Sequence, residues 1–140
     1  MGNRAVLVFE HNQSDNAPAI YLHWNGGRSS VEAFLHAANT LKISGPDSGN
    51  MDKLANMIAR YFFDCEVGTT VYRDQYGKTD KDNWDNGVYV INEHFEIVGR
   101  KFVRNEEQID REQFKEIIIT ILENYGKARD ALLENSKTEG

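Results

Sequence analysis

The residues of this chain best suited to chemistry lie together in 21-YLHWNGGRSS-30. Gly26 and Gly27 carry no Cβ, so a ligand can approach their backbone closely. Arg28 adds a planar, bidentate donor suited to a phosphate or carboxylate, and Trp24 a ring on which a base can stack. Ser29, with Glu32 three residues on, forms a capping box, so the stretch reads as a strand turning into a helix. The first turn of such a helix leaves N–H groups unused and carries partial positive charge, which favours an anion. The chemistry implied is binding of a nucleotide or another small anion by Trp24, Asn25, Gly26, Gly27 and Arg28, with His23 placed to assist a hydrolysis. A plainer reading competes with it: Gly-Gly makes a tight turn, Ser29 caps the helix and Arg28 points to solvent. The stretch matches neither the P-loop nor the dinucleotide fingerprint, and the plainer reading is preferred.

The other candidates are weaker in chemistry and stronger as contact surfaces. His11, His23, His36 and His94 contain no pair at the i, i+4 spacing of a helical metal site, and none has an acid or nucleophile fixed beside it. Asp80, Asp82 and Asp85 suggest a calcium loop. The register fails, because Trp84 stands at the third ligand position and Ile91 where the bidentate Glu belongs. Neither a metal nor a cofactor is expected, and no catalytic residue is assigned. The loop 74-DQYGKTDKDNWDNG-87 does carry Tyr76, Lys78 and Trp84, and aromatics exposed in a polar loop often mark a protein contact, although a solvated loop with one buried aromatic is the preferred reading.

These residues need a scaffold, and the periodicity supplies one. Runs 4–10, 19–24, 69–73, 88–91 and 95–102 are rich in β-branched and aromatic residues and read as strands. Val31, Phe34, Leu35, Ala38 and Leu41 recur at helical spacing, as do Met51, Leu54, Ala55, Ile58, Tyr61, Phe62 and Cys65. Gly68 reads as the C-terminal stop of that second helix. Asp110 and Gln113 make a further capping box before Phe114, Ile117, Ile118, Ile121 and Leu122, a helix expected to continue through Gly126. The order is ββααβββα. Clustered strands with short links predict an α+β domain with an antiparallel sheet of about five strands and the helices packed on one face. One domain over residues 1–135 is expected, with 136–140 a frayed tail.

Composition narrows the function classes. The chain has 140 residues, 40% of them apolar and 27% charged, which suits a folded soluble domain with its own core. A formal charge of −6 argues against general binding of duplex nucleic acid, because neutralising phosphates needs a basic surface. Cys65 is alone, so no internal disulfide or cysteine-based zinc site is expected, and the inert-thiol reading is favoured. No apolar run approaches a membrane span, and the cytoplasm is the default compartment.

The opening block, MGNRAVLVFE followed by APAIYLHWNGGRSSVEAFL, resembles a group of small uncharacterised bacterial proteins associated with prophages and other mobile elements. That resemblance implies an accessory role, modulating a host or phage process through binding, and supplies no catalytic residues. The preferred expectation is therefore a small non-catalytic interaction protein that binds a protein partner. Nucleotide or anion binding at Trp24–Arg28 is the alternative, and a homodimer through the open sheet face or the last helix is compatible with both.

Overall fold

A computed structural model describes residues 3–43, 48–61, 71–103 and 108–124. The β-branched and aromatic runs form five strands: β1 (Ala5–Phe9), β2 (Pro18–Leu22), β3 (Val71–Gln75), β4 (Val88–Ile91) and β5 (Ile97–Lys101). Three helices accompany them: α1 (Arg28–Thr40), α2 (Ser48–Tyr61) and α3, described over 111–124. Tyr76–Lys78 form a short 3-10 turn between β3 and β4.

The domain is α+β, as expected, but the sheet is mixed rather than antiparallel. In space its strands run β3-β2-β1-β4-β5, and β1 lies parallel to β4, with Val6 opposite Val88 and Phe9 opposite Ile91. The other three strand pairs are antiparallel. The physical reason is that β4 does not fold back on β3. The chain from β3 crosses the sheet and adds β4 on the far side of β1, which places β1 at the centre. A central strand has both faces buried, and all five residues of 5-AVLVF-9 are buried.

Each face of the sheet has its own apolar layer. Leu7, Phe9, Ile20, Leu22, Tyr89 and Ile91 pack under residues of all three helices, including Phe34, Met51, Leu54 and Ile117. On the opposite face Val6, Val8, Ala19, Tyr21, Val88 and Val90 are covered by Ala17 and Tyr76. The expectation of a partly open second face holds at its edge, where Tyr72, paired with Tyr21, is 40% exposed. The 3-10 turn is stitched to the β1–β2 connection by the Tyr76 N–H on the Ala17 carbonyl and the Gly77 N–H on the Asp15 carbonyl, each at 2.8 Å. Tyr76 is thereby driven into the sheet.

The helix ends differ in how they were written. Gly27, not Ser29, is the N-cap of α1, and the Ser29 hydroxyl instead accepts the Asp110 N–H at 2.7 Å. At the other end Lys42 adopts φ 59°, and the Ile43 N–H reaches the Ala38 carbonyl at 2.9 Å, so a Schellman turn stops the helix. Asp110 does cap α3, its Oδ1 accepting the N–H groups of Glu112 and Gln113. Phe62, Cys65, Gly68, the passage through Gly126 and the tail 136–140 lie outside the described residues. No helix among the described residues is long and apolar enough to cross a membrane.

Candidate functional site

Two segments that the sequence singled out separately, 23–28 and 84–87, meet at one end of the sheet. The residues that join them are Asn3 and Arg4, which lead into β1. On one side the Asn3 N–H bonds to the His23 carbonyl at 2.9 Å and the Gly26 N–H to the Asn3 carbonyl at 2.8 Å. On the other, the Asn86 N–H and Nδ2 both donate to the Arg4 carbonyl, at 3.1 and 3.0 Å. The Arg4 N–H and Nε both donate to Asp85 Oδ2, at 3.1 and 2.9 Å, and Asp80 lies 3.7 Å from the same guanidinium. Burial alone would raise the Asp85 carboxyl, but the Arg4 hydrogen bonds and charge outweigh it and hold that carboxyl below its usual range.

The loop beside them is built on a buried asparagine. Asn83 is 1% exposed. Its Nδ2 donates to the carbonyls of Asp80 and Gly87, and its Oδ1 accepts the N–H groups of Asp85 and Gly87. This saturates the side chain and fixes the turn from 80 to 87. Gly87 has φ 66° and lies so close to the backbone of Lys101 and Phe102 that a Cβ has no room there.

That framework presents aromatic rings outward. Among the described residues the exposed large aromatics are Trp24, Tyr72, Trp84 and Phe102, and all four sit at this end. Trp84 is 71% exposed. It stands at φ 63° and Phe102 at φ 57°, in the left-handed region that bulky side chains avoid. Tyr21, His23 and Tyr72 line the adjoining sheet face: the Tyr21 and Tyr72 rings are 5.0 Å apart, and the Tyr21 hydroxyl and His23 Nδ1 share a 3.1 Å hydrogen bond. His23 also meets the Trp24 ring edge-on at 5.4 Å.

The Gly-Gly corner itself is occupied by the protein. A Cβ on Gly26 would stand 2.6 Å from the Asn3 carbonyl oxygen and 2.7 Å from the Ala5 Cβ. The backbone that makes the close approach to Gly26 is therefore β1. The Gly26 carbonyl accepts the buried Tyr89 hydroxyl at 2.8 Å, and the Arg100 guanidinium lies 3.7 Å above that tyrosine ring. Asn25, at φ 58°, donates to the Ser30 hydroxyl at 3.4 Å, and Arg28 pairs with Glu32 one turn along α1 at 3.6 Å.

The remaining candidates distribute as follows. Tyr76 is buried in the second apolar layer, so of Tyr76, Lys78 and Trp84 only Lys78 and Trp84 offer surface. His11 and His23 stand at opposite ends of the sheet, because β1 and β2 pair with Ala5 opposite Leu22 and Val8 opposite Ala19. His36 is exposed on α1 with its ring against Phe114 at 5.6 Å, and His94 is exposed in the β4–β5 turn. No group of three or more metal-ligating side chains is close enough to hold an ion among the described residues. Sequence reasoning missed Arg4, Asn83 and Phe102. The alternation of Asp and Asn in 80-DKDNWDNG-87 was the signal for an asparagine-organised turn.

Comparison with protein-family models, with curated proteins and with solved structures returns no match for this chain. What the site does must therefore be argued from its own geometry.

Proposed function

We propose that this chain is a small non-catalytic interaction protein, and that it holds a protein partner with the aromatic end of its sheet. The observation that carries the reading is that Trp24, Tyr72, Trp84 and Phe102 are all presented there, two of them on left-handed backbone. Backbone strain of this kind concentrates at functional sites. Trp and Tyr are the residues most often found to dominate binding energy at protein interfaces, because they bury much area with few rotatable bonds. Arg4, Asp80 and Asp85 place charged groups at the same end, and interfaces combine apolar anchors with polar groups around them. A partner in a phage or mobile-element setting fits the accessory role that the opening block implies.

The anion reading at Trp24–Arg28 has less to support it. The space that it needs is taken by Asn3 and Ala5, and the Gly26 amide by the Asn3 carbonyl.

The test is affinity capture from bacterial lysate, followed by reconstitution with the purified partner. Wild type should bind it, and Trp24→Ala and Trp84→Ala should each weaken binding by tenfold or more, the effect of about 1.4 kcal/mol. A partner held at full affinity by the double variant, or none captured at all, overturns the proposal.

A further inference from the structure

Where α1 meets the start of α3, the helical layer carries a feature that the aromatic surface does not use. The two helices are tied there by a hydrogen bond and a ring contact. The Asp110 N–H donates to the Ser29 hydroxyl at 2.7 Å, and the Phe114 ring stands edge-on to His36 at 5.6 Å. Beside that seam lies an open cleft of about 330 Å³, lined by Glu32 of α1 and by Ile109, Arg111, Phe114 and Lys115 around the start of α3. Its size is at the small end of ordinary small-molecule sites.

The lining has two kinds of surface. Ile109 is 44% exposed and Phe114 half-buried, so apolar side chains meet water inside the cleft. An apolar chain laid over them recovers hydrophobic free energy that the fold leaves unused. The rim is cationic. Arg111 and Lys115 are exposed and one turn apart on α3, a spacing at which like charges repel. An anion held between them turns that repulsion into two charge-assisted contacts, and the first turn of α3 adds partial positive charge. The acids close by are already engaged. Asp110 accepts the N–H groups of Glu112 and Gln113, and Glu32 lies 3.6 Å from Arg28 Nε.

We propose that this cleft binds a monocarboxylate with an apolar tail, of the kind that a medium-chain fatty acid provides. The tail lies on Ile109 and Phe114 and along the methylene stems of Arg111 and Lys115, and the carboxylate takes the two cationic heads. Each half of such a ligand matches one half of the lining, which neither a bare anion nor a neutral hydrocarbon does. The chain as a whole carries a formal charge of −6, so long-range attraction does not gather anions at its surface. Selection rests on this local pair of cations and the apolar surface beside it.

The probe is octanoate, titrated into the full chain near neutral pH while amide chemical shifts are followed. Saturable shifts at Glu32, Ile109, Arg111, Phe114 and Lys115 are expected. Acetate, which lacks the tail, and 1-octanol, which lacks the charge, should each bind at least about tenfold more weakly. Arg111→Gln combined with Lys115→Gln should weaken octanoate by about tenfold and leave 1-octanol unchanged. Both cations are exposed, so this double variant keeps its fold, and the same spectra verify that. Trp84→Ala should leave octanoate binding unchanged, which keeps this test separate from that of the aromatic end. The absence of saturable shifts at millimolar concentration, equal binding of octylamine, or an unmoved midpoint in the double variant overturns the proposal. Tighter binding of the peptide acetyl-Leu-Leu-Glu-amide also overturns it, by assigning the cleft to an acidic protein segment.

Discussion

Trp84 and Asn83 are adjacent and have opposite jobs. Asn83 is buried and satisfies four polar groups of its own loop, whereas Trp84 is exposed on strained backbone. Asn83→Ala should therefore cost about 3 kcal/mol in urea denaturation, because it strands buried N–H and C=O groups. Trp84→Gly should do the reverse and raise stability by about 1 kcal/mol, since glycine accepts the left-handed conformation freely. The same variant should lose the partner. A more stable protein that binds less well is the signature of a residue kept for recognition, and a Trp84→Gly variant that is destabilised would remove that argument. The sequence showed both residues but not their division of labour, because a D-N-W-D-N-G turn does not say which side chain faces inward.

At the scale of elements, the decisive contact is β1 against the Gly26 corner. Gly26→Ala should destabilise the domain by about 1–3 kcal/mol by overpacking against Asn3 and Ala5, read as a lower urea midpoint with unchanged slope. An alanine accepted there without cost would reopen the corner as a site for an external ligand. The sequence indicated that the Gly26 backbone can be approached closely; it could not say by what. The same limit governs the sheet. The strands were legible because local alternation and β-branched residues report them, and the apolar AVLVF run was consistent with a doubly buried strand. The parallel β1–β4 pair was not, since it joins segments about eighty residues apart that no local pattern connects. One buried ring was expected in the 74–87 loop, but a single ring in a polar loop has no periodicity to show that it is Tyr76 that caps the sheet.

For the molecule as a whole, titration gives two windows. Burial raises the hydroxyl pKa of Tyr21, Tyr72 and Tyr76 above that of free tyrosine. Groups raised in the folded state stabilise it below their unfolded value and lose that contribution above it, so melting temperature should fall as pH rises past about 10. Tyr76→Phe should lessen that fall. Asp85 acts at the other extreme. Its carboxyl is lowered in the fold, so its contribution is full above about pH 4 and disappears as acid protonates it. Acid melting of an Asp85→Asn variant should accordingly be flatter than that of wild type below that pH.

The placement of β1 bears on how the chain reaches its fold at all. Among these five strands the first in sequence is the one that needs a neighbour on each side, and Val6 must wait for Val88 before its second edge is closed. During synthesis an apolar ribbon with one open edge thus persists until β4 has been made. Nonlocal closure of this kind is slow, and it leaves that edge open to wrong pairing while the domain folds.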